Sequence, residues 1–326
     1  MFFQFSNSFK ISEITGASFT GCSSLEKIVL PNEVTTIGSS AFKDCINLKT
    51  ILVPSKCKTI KLHAFYNCSS LKTLLSYTLE NKSEMINKES YDLIVDLSNF
   101  TEIGESCFSK CKSIVEVIYS NKKPTIEFST FYENTSLRKI YIPSNITTIE
   151  RIAFMFVKDI DIYYDGTLQQ WLSIKTNITA PDVLFEGFNL YLNNELLKSI
   201  TINDSIVKDE YINLSGCKSI NEIILGEGEK SVMKLEACGV NNAVAMATSH
   251  LSKAQAQILM KLHTNIVVAL DKDKDPKQDK NLMNLARYNN CYIMVDKENL
   301  LDEKDAPIDK GIEVFKKLYD QKERLL

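Results

Sequence analysis

Ala41-Phe42-Lys43-Asp44-Cys45-Ile46-Asn47-Leu48-Lys49-Thr50-Ile51-Leu52-Val53-Pro54 is one unit of a pattern that runs through the first two thirds of the chain. Its phenylalanine recurs with a step of 23 residues at Phe19, Phe42 and Phe65, and again at Phe108, Phe131 and Phe154. Three residues after it comes Cys22, Cys45, Cys68 or Cys111, replaced by Asn134 and Val157 in the last two copies. Three further on stands Leu25, Leu48, Leu71, Ile114, Leu137 or Ile160. A short alternating run through Ile28, Ile51, Leu74, Val117 or Ile140 follows, and stops at Pro31, Pro54 or Pro143. Val34-x-x-Ile37 and Ile146-x-x-Ile149 then lead into the next phenylalanine. A fixed period of this length predicts a solenoid. One coil cannot enclose its own apolar face, so neighbours stack and the Phe, Leu and Ile positions form continuous ladders. The alternating run predicts one strand per coil, ended by a proline where no ladder donor is needed.

These units resemble the BspA-type leucine-rich repeat, which reads Ala-Phe-x-x-Cys-x-x-Leu-x-x-Ile-x-Leu-Pro. The resemblance covers about residues 10 to 225 and implies a scaffold that binds a protein ligand on its surface. Residues 76–98, beginning Ser76-Tyr77-Thr78-Leu79-Glu80, break the period and are expected to form a loop or bulged coil. Tyr163-Tyr164-Asp165-Gly166-Thr167-Leu168-Gln169-Gln170-Trp171-Leu172 resembles an insert of such arrays, and Leu190–Leu196 the strand pair after it, so a second irregular stretch spans 163–195. Trp171, Tyr163 and Tyr164 read either as a binding patch or as the packing of that insert. The cysteine ladder is expected to hold buried thiols rather than metal, because it offers no tetrahedral set with histidine. His63, His250 and His263 are scattered, and no nucleophile, base and orienting acid can be assembled from them. A last partial copy, Leu214–Ile223, runs into the segment that follows.

From Gly226 onward the pattern changes to alternating helix and strand signals. Helices are expected over Ser231–Cys238, Ser252–Leu262, around Leu282–Ala286 and over Asp309–Arg324. Strands are expected at Ala243–Ala247, Ile266–Leu270 and Cys291–Val295. Such alternation implies a mostly parallel α/β sheet. Two apolar runs, Ile223-Ile224-Leu225-Gly226 and Ile266-Val267-Val268-Ala269-Leu270, end abruptly in carboxylates. Side chains leaving the C-terminal ends of neighbouring parallel strands converge in one crevice, which brings Glu227 toward Asp271 and Asp273. Three such carboxylates make a divalent-metal site. A solvated charged loop is the alternative for Asp271–Asp279. An EF-hand is excluded by Pro276 in place of its glycine and by Leu282 in place of its bidentate glutamate.

Glu227-Gly228-Glu229-Lys230-Ser231, the entry Asn241-Asn242-Ala243-Val244-Ala245, Asp271-x-Asp273 and Lys304-Asp305-Ala306-Pro307-x-Asp309-Lys310-Gly311 together resemble the Toprim domain of phage and bacterial primases. The resemblance implies that Glu227 is an acid–base or metal-facing glutamate and that Asp271 and Asp273 hold magnesium, or manganese, with Asp275 an accessory ligand. It implies magnesium-dependent chemistry on DNA or RNA of a nucleotidyltransferase or nuclease kind. Lys230 and Lys234 read either as phosphate contacts or as surface lysines. The expected architecture is therefore α/β, with a leucine-rich-repeat solenoid over 1–220 and a small Toprim-like domain over 221–326. The chain lacks the Cys/His zinc module that accompanies Toprim in a complete primase. The alternative is a non-enzymatic interaction protein with an inactive Toprim remnant.

Composition narrows the setting. At 326 residues with 44% hydrophobic content, the chain is long enough for two domains. A formal net charge of −3 predicts no strong field toward nucleic acid or an anionic membrane. No run approaches the roughly 20 apolar residues of a spanning helix. Nine cysteines without Cys-x-x-Cys spacing predict reduced thiols and a cytoplasmic location.

Overall fold

The computed structural model describes residues 1–5, 10–176, 185–197, 217–220, 222–240, 242–246, 250–262 and 264–326. The chain divides into two compact units, Met1–Glu195 and Leu196–Leu326. The first is the solenoid. Strands Phe2–Gln4, Lys27–Val29, Thr50–Pro54, Thr73–Tyr77, Ile94–Asp96, Glu116–Ile118, Lys139–Ile142, Lys158–Tyr164 and Glu186–Leu192 lie side by side in chain order in one long sheet, which ends at Glu195–Leu196. From Phe2–Gln4 to Glu186–Leu192 every neighbour is parallel, as coils wound in one sense require.

Each coil holds the phenylalanine of the next at stacking distance. Phe19 and Phe42 stand 5.1 Å apart, Phe42 and Phe65 5.4 Å, and Phe131 and Phe154 5.4 Å, all stacked. These gaps follow the ~4.8 Å spacing of neighbouring strands. Phe42, Phe65, Phe108 and Phe131 are fully buried, and each such side chain contributes roughly 1.5–3 kcal/mol. Cys45, Cys68 and Cys111 of the ladder are buried thiols, as expected, and add one feature. The thiols of Cys45, Cys68 and Cys111 donate to the carbonyls of Phe19, Phe42 and Phe65, in the preceding coil, at 2.9, 3.0 and 3.1 Å. In the fifth copy Asn134 makes the same bond through Nδ2 to the Phe108 carbonyl at 2.9 Å. Burial pushes the Cys45 thiol up to about 11. No disulfide joins any of the nine cysteines.

Two features depart from the sequence reading. Each coil carries two strands rather than one. After the first strand of the coil a two-residue strand forms at Glu13–Ile14, Thr36–Ile37, Thr59–Ile60 and Glu102–Ile103, in a second parallel sheet. Thr125–Ile126, Thr148–Ile149 and Lys175–Thr176 form a third. The coils approach so closely here that a Cβ on Gly104 would meet Leu62 N at 2.6 Å. The other departure is the stretch 76–98, which is neither a simple loop nor a simple bulge. Phe65 and Phe108 are 43 residues apart in sequence, yet stack at 5.3 Å. The intervening chain leaves the coil after Thr73–Tyr77, forms a helix at Lys82–Asn87 and returns as the added strand Ile94–Asp96.

The second unit contains a five-stranded sheet in the order Ala243–Ala245, Glu222–Gly226, Asn265–Ala269, Cys291–Ile293, Glu323–Arg324. The first four strands are parallel and the last is antiparallel. Glu222–Gly226 pairs only within this sheet among the described residues, so it belongs to this unit and not to the repeat ladder. The start of the partial copy at Leu214–Gly216, together with Asn241 and His263, lies outside the described residues. Helices Glu229–Ala237 and Ile312–Asp320 bring Val232, Leu235 and Phe315 onto Ile224 and Val267 to make the core. Among the described residues no helix is long and apolar enough to cross a membrane.

Candidate functional site

Strand order places a crevice in the C-terminal unit. From Glu222–Gly226 the chain moves to one side to form Ala243–Ala245, then crosses to the other side for Asn265–Ala269. Ligands of open parallel sheets bind beyond the strand ends where the order reverses in this way. Gly226 and Ala269 are register partners at that point. Glu227 follows directly on the first strand, and Asp271 stands two residues beyond the second, which ends at Ala269.

Glu227 Oε2 is buried with no hydrogen-bond partner, a costly state for a carboxylate oxygen. The Asp271 carboxyl is pushed up to about 6, first by burial and then by repulsion from Glu227, Asp273 and Asp309, with Lys274 acting in the opposite direction. Four carboxylates therefore sense one another around Asp271. Asp309 received no role in the sequence reading. It stands in the quoted Pro307-x-Asp309-Lys310-Gly311 segment, and a place in a loop ahead of a helix gave no signal of what it would face.

The larger ligand set expected from the sequence is not assembled. Among the described residues, no three His, Cys, Asp or Glu side chains are gathered so as to hold a metal ion. Asp275 is engaged elsewhere: its Oδ1 accepts from Lys277 N at 3.0 Å and caps the short turn Pro276–Gln278. Asp273 is exposed and lies 3.5 Å from Lys274 Nζ. The charged run is also not a free solvated loop throughout, because Asp279 is buried and caps the helix Lys280–Leu285 through bonds from Asn281 N and Leu282 N. Lys234 pairs with Asp309, so its charge is held inside the acidic cluster. Lys230 is exposed.

Beside Asp271 opens a cleft of about 300 Å³. Val268, Leu270, Ile293, Val295, Leu301 and Pro307 supply its apolar lining, and Asp271 and Lys274 are among its polar residues. Lys272 also lines it, with its ammonium held by Asn299, the Leu301 carbonyl and Asp296.

The solenoid has a different candidate surface. Alternate residues of the long sheet point away from the core, and register aligns Val29, Leu52 and Leu75 at one end of such a row and Asp96, Ile118, Tyr141, Tyr163 and Tyr191 further along. The first three are covered by the chain itself. Met85, Ile86 and Tyr91 of the 76–98 stretch pack against the cluster of Val29, Leu52 and Tyr77. Lys27 Nζ donates to the Ile86 carbonyl at 2.9 Å and to Tyr91 OH at 2.7 Å. The three tyrosines remain half-buried. Tyr141 and Tyr163 lie 5.1 Å apart, Tyr163 and Tyr191 stack at 4.4 Å, and Lys139 Nζ sits 4.8 Å from the first ring and 5.0 Å from the second. Asn189 Nδ2 donates to Asp161 Oδ1 in the adjoining row. Of the aromatic patch expected from the sequence, Trp171 and Tyr164 are buried and pack edge to face at 5.3 Å, leaving Tyr163 on this row.

Comparison with known proteins gives three kinds of likeness. The model of the BspA type leucine rich repeat region matches residues 2–100 and 92–173 in six copies. The SPbeta prophage-derived uncharacterized protein YorJ of Bacillus subtilis (strain 168) is 32% identical over 122 residues, which are 31% of this chain and 32% of that protein. The matched stretch is thus about a third of the length of that curated relative. The leucine rich repeat protein of T. pallidum, TpLRR, aligns with a TM-score of 0.39 at 23% identity, over 49% of this chain and 67% of its own. A leucine-rich repeat protein of Bacteroides ovatus ATCC 8483 aligns at 0.40 and 18%, over 82% and 71%. A leucine rich cell surface protein of Faecalibacterium prausnitzii A2-165 aligns at 0.40 and 15%, over 91% and 88%.

Proposed function

The chain belongs to the BspA type leucine rich repeat family, and from that membership we propose a protein-binding scaffold joined to a Toprim-like unit that holds a divalent cation and acts on nucleic-acid phosphodiesters. One observation carries the second half: Glu227 and Asp271 leave adjacent strand ends at the reversal of strand order, with Glu227 Oε2 buried and unpartnered. An orphaned carboxylate oxygen beside a second carboxyl that burial first, and then repulsion, pushes up to about 6 suits a cation. Two carboxylates suffice for magnesium or manganese of this kind, because magnesium keeps several waters and takes substrate phosphate as a further ligand. Glu227 and Asp271 would hold it, with Asp273 nearby. The bound cation would stabilise charge developing on a phosphoryl oxygen. The protein's own part is to orient the two carboxylates and to keep the Glu227 oxygen out of bulk water.

For the repeats, the proposed docking face is the half-buried tyrosine row of Tyr141, Tyr163 and Tyr191. Its support is internal. The equivalent row at Val29, Leu52 and Leu75 already receives a short helical segment through Met85 and Ile86, with Lys27 taking a backbone carbonyl. Lys139 occupies the corresponding strand position beside the tyrosines. The proposal includes a reducing, cytoplasmic compartment, supported by the use of the Cys45, Cys68 and Cys111 thiols as hydrogen-bond donors, a role that oxidation would remove.

A second reading, a purely non-enzymatic scaffold, has its own support: Lys234, Lys272, Lys274 and Lys310 are all engaged with carboxylates, which lowers what these four offer a phosphate backbone. Cleavage of single-stranded and supercoiled DNA with magnesium or manganese separates the two. The catalytic reading expects metal-dependent product that disappears in Asp271→Ala/Asp273→Ala. Absence of both cleavage and calorimetric metal binding leaves the scaffold alone.

A further inference from the structure

We propose that the cleft beside Asp271 receives the base and sugar of one unstacked nucleotide, so that the C-terminal unit engages single-stranded nucleic acid rather than duplex. The phosphate end of this inference rests on the cation reading of Glu227 and Asp271; the cleft itself stands on separate observations. Its volume, about 300 Å³, is the lower limit of ordinary ligand pockets. That admits one base with its sugar and excludes a base pair. Leu270, Ile293 and Val295 remain only half-buried where they line it, so the slot offers apolar surface that a planar ring would cover. Enzymes that handle a single base hold it between apolar or aromatic side chains in this manner.

Polarity is confined to particular points. The Lys272 ammonium is satisfied by Asp296, Asn299 and the Leu301 carbonyl, so the stem of this side chain can line the slot without a free charge facing the ring. Asp271 both lines the slot and senses the Glu227 carboxylate, and so joins the slot to that cluster. A ligand that is apolar and flat at one end and anionic at the other, with its anion able to complete a cation's shell, matches this order of groups. A nucleoside monophosphate has that chemistry. An apolar peptide side chain matches the slot alone and gains nothing from a cation.

The test uses the full chain with thymidine, thymidine monophosphate and a leucine-containing tripeptide as probes, read by saturation-transfer NMR and calorimetry with and without magnesium. Thymidine is expected to show saturation transfer. Its monophosphate is expected to bind at least about tenfold more tightly once magnesium is present, a gain of about 1.4 kcal/mol. Val295→Asp is expected to weaken both by about tenfold or more and to leave magnesium heats unchanged. Leu270→Ala, which only enlarges the slot, is expected to weaken thymidine with little structural risk should Val295→Asp fail to fold. Normal magnesium heats with no transfer to thymidine overturn the nucleotide slot and leave the cation reading intact. Transfer to thymidine without magnesium heats keeps the slot and overturns the cation reading. Magnesium-independent preference for the tripeptide overturns the inference in favour of a peptide ligand.

Discussion

Asp271 shows what a shielded carboxyl among other carboxylates costs a fold. Burial first, and then Glu227, Asp273 and Asp309, push its carboxyl up to about 6, from an ordinary value of 3.8. Between those values the folded chain holds the proton more tightly than the unfolded chain does. Stability therefore falls as pH rises through about 4 to 6 and levels off above that window. The group is only partly shielded from solvent, so the loss is modest, about 1 kcal/mol. Asp271→Asn removes the ionisation and keeps the shape. Thermal melts without divalent metal should show the variant more stable than the parent near neutral pH and equal to it near pH 4. A variant that is less stable at neutral pH would mean that the Asp271 carboxylate is held by bonds rather than opposed by neighbours. Glu227 and Asp271 were legible in sequence because both end apolar strands abruptly. Asp309 was not, because it reaches the same cluster from a loop.

At the scale of elements, what sequence revealed depended on the length of the pattern. The Phe, Cys and Leu positions repeat often enough to define the coil. A strand of two residues, such as Thr36–Ile37, is too short to show any period, so the second strand of each coil leaves no mark in the sequence pattern. Likewise Glu323–Arg324, an edge strand of two charged residues, lay inside the expected final helix; Leu325 N bonds to the Cys291 carbonyl at 2.8 Å and fixes the chain there. The segment Lys82–Asn87 carries no buried residue of its own, which is why its sequence suggests only a loop or bulged coil. Its place comes from partners far away in sequence, chiefly the Val29–Leu52–Tyr77 cluster and the bonds from Lys27. Ile86→Asp should therefore release the segment without unwinding the coils. Hydrogen exchange is expected to accelerate across 82–91 while the amides of Phe42, Phe65 and Phe108 keep their protection. Loss of protection along the phenylalanine ladder would show instead that the segment is part of the solenoid's cooperative core.

For the whole molecule, the two units owe their stability to different arrangements, and heat should resolve them. A solenoid is held by neighbour-to-neighbour terms, each coil resting on the next through its phenylalanine and its cysteine or asparagine. The C-terminal unit is held by layers packed on its sheet, a cluster around Ile224, Leu235, Val267 and Phe315 and the buried Leu259, Leu282 and Leu285 beyond it. Only the second has the carboxylate crevice. A ligand that binds the folded form alone stabilises it by an amount set by its concentration relative to Kd, about 1.4 kcal/mol at tenfold excess. Calorimetry in rising magnesium should thus move one transition and leave the other in place, and Asp271→Ala should cancel the movement. A shift confined to the transition that survives in a chain ending at Glu195 would put the cation on the repeats. No shift of either transition would remove the cation from the molecule's function, leaving the tyrosine row as the surface through which this scaffold acts.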